Sequence, residues 1–310
     1  MTTVMTHERG VHEMGPAVIA LGVFDGVHLG HQSLIADTMA LARERGCASC
    51  VLTFDRDPDQ VIMPDDAAPQ LTSLADKIAL IAEVGPDAIL VVPFDEWLAS
   101  LSPADFCIDV LLDASEPVAC MVGYDFRFGV GASGDAGTLR SLGDTLDFEV
   151  VTHPLVHVCG EPVTSTRIRA LVASGDVAGA MALLGRPHRV AGFVARGRGL
   201  GRTLGAPTAN LRVDPRMAVP APGVYAAWAR VASGTYAAAV SIGVAPTFPD
   251  SASAIEAHLI GLDDDLYDAP IALEFIDRIR DQRAFPSEEE LSGAIAADIS
   301  TITERLKATS

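Results

Sequence analysis

His28 and His31 stand three residues apart in the stretch "LGVFDGVHLGHQSLI" (21–35), which also holds Gly22, Gly26 and Gly30. Histidines at this spacing can both point at one phosphoryl group. As hydrogen-bond donors they would stabilise the charge that develops when an α-phosphate is attacked. A metal site needs a third ligand at suitable spacing, and none stands out in the sequence. The residues alone leave two readings open: phosphate-facing groups, or two ordinary histidines of a turn. Gly22 and Gly26 permit tight or positive-φ backbone and the close approach of a ligand. Gly30 and His31 fall at or near a helix start, where free N–H groups and the helix dipole favour a phosphate. The spacing G-x-x-x-G-x-x-x-G is neither the dinucleotide fingerprint G-x-G-x-x-G nor a Walker A loop, which ends in Gly-Lys-Ser/Thr.

Two later stretches carry comparable chemistry. In "TSTRIR" (164–169), Ser165 and Thr166 offer hydroxyls and N–H groups at a helix start, and Arg169 adds a planar cationic fork. Such a group suits the β- and γ-phosphates of ATP; it equally describes a capped helix with exposed arginines. In "RGRGLGRTLGAPTANL" (196–211), the backbone around Gly197, Gly201 and Gly205 can wrap phosphates. Thr208 and Asn210 follow it with neutral side-chain oxygens of the kind hard cations accept. The acidic run Asp263–Asp265 reads as a solvated turn, although it imitates a metal cluster.

The elements that must position these groups follow two rhythms. Up to about residue 185, short apolar runs ("AVIALGVF", "CVLTF", "AILVVPF", "VACMVGYDF", "FEVVTHPLVHV") alternate with helix-like segments of ten or more residues. That alternation predicts a parallel sheet with crossover helices, its strands apolar on both faces. Two short helical segments, 167–173 and 176–184, close this half. After "GRP" (185–187) come "HRVAGFVARG", "GVYAAWARV", "TYAAAVSIG", "AIEAHLIG" and "IALEFIDRI", joined by turns. This predicts an antiparallel sheet or small barrel. Ser287 and Glu290 form a capping box before an amphipathic helix. The expected domains are 1–186 and 187–310.

Composition narrows the partners. A net charge of −19 argues against nucleic acid, which needs clustered Lys and Arg. Small phosphorylated ligands stay open, because local arginines and backbone N–H groups hold them. No uncharged apolar run approaches a bilayer span and no basic-then-apolar leader is present, so no membrane partner is expected and the expected location is the cytoplasm. The five cysteines are irregularly spaced, and "CASC" (47–50) reads as buried small residues rather than a redox or zinc pair.

The string "GVFDGVHLGH" resembles the H-x-G-H nucleotidylyltransferase motif, in the form found in bacterial bifunctional riboflavin kinase/FAD synthetases. "LTFDRDP" (52–58), "LTSLADKIALI", "VGYDFRFGVGASGD" (122–135) and "TSTRIRALVASGDVAGAMALLGRP" (164–187) match in order. "LGAPTANL" and "EAHLIGLDDDLYDAPIALEFIDRIRDQRAFPS" resemble the kinase half, so the resemblance covers nearly the whole chain.

The resemblance implies a Rossmann-like α/β nucleotidylyltransferase domain, then an antiparallel β-barrel riboflavin kinase domain with a C-terminal helix. It implies phosphorylation of riboflavin to FMN and adenylylation of FMN to FAD, with riboflavin, FMN and ATP as substrates. Mg2+ would accompany ATP, with Thr208 and Asn210 as its ligands; FMN would be both product and substrate, and FAD a product. His28 and His31 would act on the α-phosphate, with Gly22, Phe24, Asp25, Gly26 and Gly30 around the nucleotide. Asp125 and Phe128 would face the adenine or flavin pocket, and Glu256 would be the general base on the riboflavin 5′-hydroxyl. The expected state is a monomer or weak homo-oligomer. Three departures stand out: Arg56 and Asp57 replace a proline and a histidine of T-F-D-P-H-P, Ser241 replaces the asparagine of N-I-G, with Ala245 nearby, and Ala206 replaces a phenylalanine before P-T-A-N. Two rivals follow from them. One is a divergent paralogue with only kinase activity or another flavin or nucleotide substrate; the other is a non-catalytic flavin-binding protein.

Overall fold

A computed structural model describes residues 2–11, 14–195, 208–243, 254–262, 266–283 and 285–307. The chain divides into two compact units, Met1–Thr164 and Ser165–Ser310.

In the first unit the chain runs β1 (Thr3–Thr6), β2 (Met14–Leu21), α1 (Leu29–Arg45), β3 (Ala48–Phe54), α2 (Asp59–Ile62), α3 (Leu74–Val84) and β4 (Ala88–Val92). It continues through α4 (Glu96–Ser100), α5 (Pro103–Phe106), a wide turn of helix over Cys107–Leu112, β5 (Ser115–Gly123), β6 (Arg127–Phe128), β7 (Gly134–Asp135) and α6 (Ala136–Leu146). β8 (Glu149–His153) and the short ribbon β9 (His157–Val158) with β10 (Glu161–Pro162) complete it. Six strands form one sheet in the order β1-β4-β3-β2-β5-β8, every pair parallel. As the apolar runs demand, the sheet is covered on both faces. Leu34, Ile35 and Ile81 of α1 and α3 pack on Val51 and Ile89, while Phe106, Leu111 and Leu139 pack on Leu52, Leu90 and Val122.

β2 stops at Leu21, earlier than its apolar run, because Phe24 adopts φ 55, which no strand residue does. β1 carries no sequence signal: four mixed residues extend the edge by pairing with β4. The cysteines are all free, and burial pushes the Cys50 and Cys107 thiols up to about 12, so Cys50 behaves as an inert apolar residue.

The second unit opens with α7 (Ser165–Ser174) and α8 (Val177–Leu184). β11 (His188–Ala195), β12 (Ala209–Val213), β13 (Gly223–Val231), β14 (Gly234–Gly243), β15 (Ala254–Leu259) and β16 (Pro270–Arg280) then close into a barrel, ordered β11-β12-β15-β14-β13-β16. Every neighbouring pair is antiparallel. Alternation is strict on β14: Ala238, Val240 and Ile242 are buried inside, whereas Ala239 and Ser241 are only half-buried. Val177 of α8 joins this core, so the two helices after residue 164 pack with the barrel. The last helix, Glu288–Lys307, buries Ile302 and Leu306 against Val224, Ala226 and Ile276. Its start follows the capping box, with the Ser287 hydroxyl accepting the Glu290 N–H at 3.2 Å.

Candidate functional site

The strand order of the first unit reverses at β2, which has β3 on one side and β5 on the other. Ligands of parallel sheets bind beyond the carboxyl ends of strands at such a reversal. Residues 22–31 leave the carboxyl end of β2, and residues 124–128 leave that of β5.

The first segment is built around His28. Its side chain caps α1: Nδ1 accepts the His31 N–H at 3.3 Å. A neutral imidazole that accepts at Nδ1 carries its hydrogen on Nε2, so the ring presents a donor away from the helix. The His31 ring stacks on it, centroids 3.6 Å apart and planes 14° from parallel, and meets Phe24 edge-on at 5.1 Å. A side chain at Gly30 would place Cβ 3.1 Å from His28 Cε1, so glycine is what lets the imidazole lie over the helix start. Phe24 and Val27 both have positive φ, 55° and 38°, conformations that cost bulky residues free energy and persist only where surroundings impose them.

The surroundings are visible. Asp25 is buried and accepts the N–H groups of Leu71 and Thr72 and the Thr72 hydroxyl; Thr72 Oγ1 in turn accepts the Gly26 N–H at 3.1 Å. Lys77 is buried, its Nζ donating to the Val23 carbonyl at 3.1 Å and the Phe54 carbonyl at 2.8 Å. Burial pushes the Lys77 ammonium below its usual range, and the charges of Asp57, Asp25 and Asp55 work against that. Asp57, which takes the place of a histidine in the family pattern, is 4% exposed and is the foremost charge supporting Lys77. Arg56 is exposed and pairs with Asp55. Phe24 and Asp25 therefore shape the loop from beneath, Phe24 as a core side chain and Asp25 as an anchor of residues 71–72.

The sequence reading missed Lys77. The signal was present: Leu74, Lys77, Ile78 and Ile81 fall on one helical face, so a lone lysine sits on the apolar side of α3. After β5, Asp125 is exposed while Phe128 is 8% exposed, stacked on Phe126 at 5.4 Å and edge-on to Phe106 at 5.6 Å. Ser165 and Thr166 occupy the first two positions of α7, which starts two residues earlier than the pattern suggested, with Arg169 one turn on. They belong to the second unit.

In the barrel, register assembles the other candidates. Asn210 on β12 lies opposite Glu256 on β15, and Glu256 lies opposite Ser241 on β14. Cross-strand partners point to the same face, so the three form a row across the outside of the wall while Leu211, Ile255 and Ile242 point inward. Thr208, two residues before Asn210, is exposed. Gly197, Gly201 and Gly205, with Ala206, Ala245 and Asp263–Asp265, lie outside the described residues.

No helix among the described residues is long and apolar enough to cross a membrane. Residues 11–167 match the family model for FAD synthetase, and residues 184–306 match that for riboflavin kinase. A bifunctional riboflavin kinase/FMN adenylyltransferase of Pseudomonas fluorescens is 37% identical over 94% of this chain and 94% of its own length. The Bacillus subtilis protein of the same description is 36% identical over 96% and 95%. A solved structure described as a macrolide-efflux protein from Streptococcus pneumoniae superimposes with a TM-score of 0.87 at 28% identity, over 97% of this chain and 98% of that one. With both models in order on one chain and relatives above 30% identity over nearly the full length of each, this chain belongs to the bifunctional riboflavin kinase/FMN adenylyltransferase family.

Proposed function

We propose that the protein phosphorylates riboflavin to FMN with ATP and adenylylates FMN to FAD with release of pyrophosphate. The observation that carries this is the pairing of each family match with an assembled candidate site: the stacked His28 and His31 in one, the Asn210–Glu256 row in the other. Residues 1–186 are the proposed adenylyltransferase and residues 187–310 the proposed kinase; the two family matches, ending at 167 and starting at 184, support two parts in this order, while α7 and α8 between them pack with the barrel. The bifunctional relatives favour this reading over a kinase-only paralogue or a flavin-binding protein without turnover.

For adenylyl transfer, the donor-bearing edge of His28 and the adjacent ring of His31 face the charge that develops on the α-phosphate. The FMN phosphate attacks in line and pyrophosphate leaves; positioning and charge stabilisation do the work, with no covalent intermediate. Ser165, Thr166 and Arg169 are proposed phosphate ligands, and Asp125 with the 126–128 aromatics a proposed flavin contact.

For phosphoryl transfer, Glu256 accepts the proton of the riboflavin 5′-hydroxyl. Among the described residues no cluster of three or more His, Cys, Asp or Glu could hold a metal. Thr208 and Asn210 offer neutral oxygen donors, which suit a hard cation that takes its remaining ligands from water and phosphate. Thr208 and Asn210 are the residues that would hold Mg2+ with ATP, and the chemistry it would supply there is neutralisation of phosphate charge.

Incubation with riboflavin, ATP and Mg2+, followed by separation of products, tests the reading. FMN and then FAD are expected; FMN that accumulates without FAD under ample ATP rules out the second activity. In the same assay Glu256→Ala abolishes FMN formation and leaves adenylylation of supplied FMN, whereas His31→Ala costs adenylylation about 100-fold or more and spares the kinase. Equal loss of both activities in either variant contradicts two separate sites.

A further inference from the structure

The row of outward side chains on the barrel does not end at Glu256. Its third member, Ser241, is held by Gln282 from the segment after β16: Gln282 Nε2 donates to Ser241 Oγ at 2.6 Å and to the Ile242 carbonyl at 3.2 Å. Gln282 is exposed, and an exposed glutamine held in one pose by two hydrogen bonds loses rotamer freedom that solvent would otherwise allow it. The pose has been given room. Gly243 lies beneath it, and a Cβ there would sit 3.3 Å from the Gln282 amide nitrogen.

With both Nε2 hydrogens engaged, Gln282 Oε1 remains an acceptor and the Ser241 hydroxyl hydrogen remains a donor, neither engaged by another of the described residues. A fixed acceptor beside a fixed donor is what a chain of alcohol groups requires, since each hydroxyl both gives and takes a hydrogen bond. Position in the row says which alcohols. The β12 side of Glu256 holds Asn210, proposed above for the metal–nucleotide. The β14 side, about 5 Å away across one strand spacing, holds Ser241 and Gln282. An acceptor whose terminal hydroxyl meets Glu256 would lay its carbon chain across that spacing, reached within a few bonds of about 1.5 Å each.

We propose that Ser241 and Gln282 form a polyol subsite that binds the internal hydroxyls of the acceptor's side chain and thereby sets acceptor specificity. This rests on Glu256 being the base of the kinase reaction. Glutamine at 282 and serine at 241 then act as a unit, the amide orienting the hydroxyl and both contacting substrate.

The test compares riboflavin with a flavin whose ribityl chain is replaced by an unbranched alkyl chain bearing only the terminal hydroxyl. Both are assayed for phosphorylation by the full-length protein and by Gln282→Leu and Ser241→Ala. The wild type should prefer riboflavin in kcat/KM by about tenfold or more, the worth of one or two hydrogen bonds. Q282L should lower kcat/KM for riboflavin about tenfold, chiefly through KM, and leave the deoxygenated acceptor nearly unchanged, so the preference collapses. S241A should move the ratio in the same direction, and decides the matter alone if Q282L does not fold. Equal losses on both acceptors, or an unaltered preference, overturn the subsite. A wild type that phosphorylates neither acceptor overturns the kinase reading itself, and the subsite with it.

Discussion

The His28 Nδ1 closes the first turn of α1 by accepting the His31 N–H, so the group proposed for chemistry also defines where the helix begins. Its rotamer is held by secondary structure, which is one of the stiffer supports available to a side chain. Support from below comes from Lys77, whose ammonium ties the Val23 carbonyl, in the loop after β2, to the Phe54 carbonyl at the end of β3. Lys77→Met should therefore destabilise the protein by about 3 kcal/mol, because it leaves two buried carbonyls and the Asp57 charge poorly compensated. Adding Asp57→Asn should recover part of that loss. Urea unfolding of the wild type and of the single and double variants checks this, and additive losses would show that the two side chains do not interact. The histidine pair was legible from its spacing because the helix start is a local pattern. The cost of Asp57 was not: read from the sequence it put a negative charge where phosphate was expected, whereas in the fold it is buried and its charge supports a lysine twenty residues on, a coupling no local pattern contains.

Among the elements, β3 and β4 are joined at their starts by a carboxylate. Asp87 accepts the Ser49 N–H at 2.9 Å and the Ser49 hydroxyl at 2.7 Å, and these bonds hold its carboxyl below the usual carboxylate range. A depressed folded-state pKa stabilises the fold above the unfolded value and ceases to do so as pH falls through the folded one. Asp87→Ala should thus cost about 1 kcal/mol near neutral pH, a modest figure because the carboxylate is exposed and screened. The gap between variant and wild type should shrink below pH 3.8, the ordinary value. Denaturant midpoints across pH measure it; a gap independent of pH would mean the carboxylate charge plays no part. Strands such as β4, buried along its whole length, were plain in the sequence, but β1 was not. Its pairing with β4 is decided by an edge that becomes available only once the sheet exists.

For the whole molecule the governing quantities are charge and the division into units. A net charge of −19 opposes the approach of ATP and FMN, both anions. Raising ionic strength from a few millimolar toward physiological should therefore raise kcat/KM for ATP, by about threefold, as screening shortens the reach of the repulsion. A fall over the same range would mean that local arginines dominate the encounter. The change of rhythm at 185–187 announced two folds, one parallel and one antiparallel. Which core the intervening helices join was not announced, because α7 and α8 each offer an apolar face that either fold would accept; Val177 packs with the barrel.

The closed wall of that barrel has a consequence for keeping the chain soluble at high concentration. An open sheet presents a line of unpaired N–H and C=O groups on which a neighbouring molecule's strand can crystallise into an aggregate. Among the described residues the six barrel strands each have two partners, so open strand edges are left to the parallel sheet and the two short ribbons, β6 with β7 and β9 with β10. In the parallel sheet the outermost strands are β1, four residues long, and β8, five, so each edge offers a foreign strand only a short line of backbone groups.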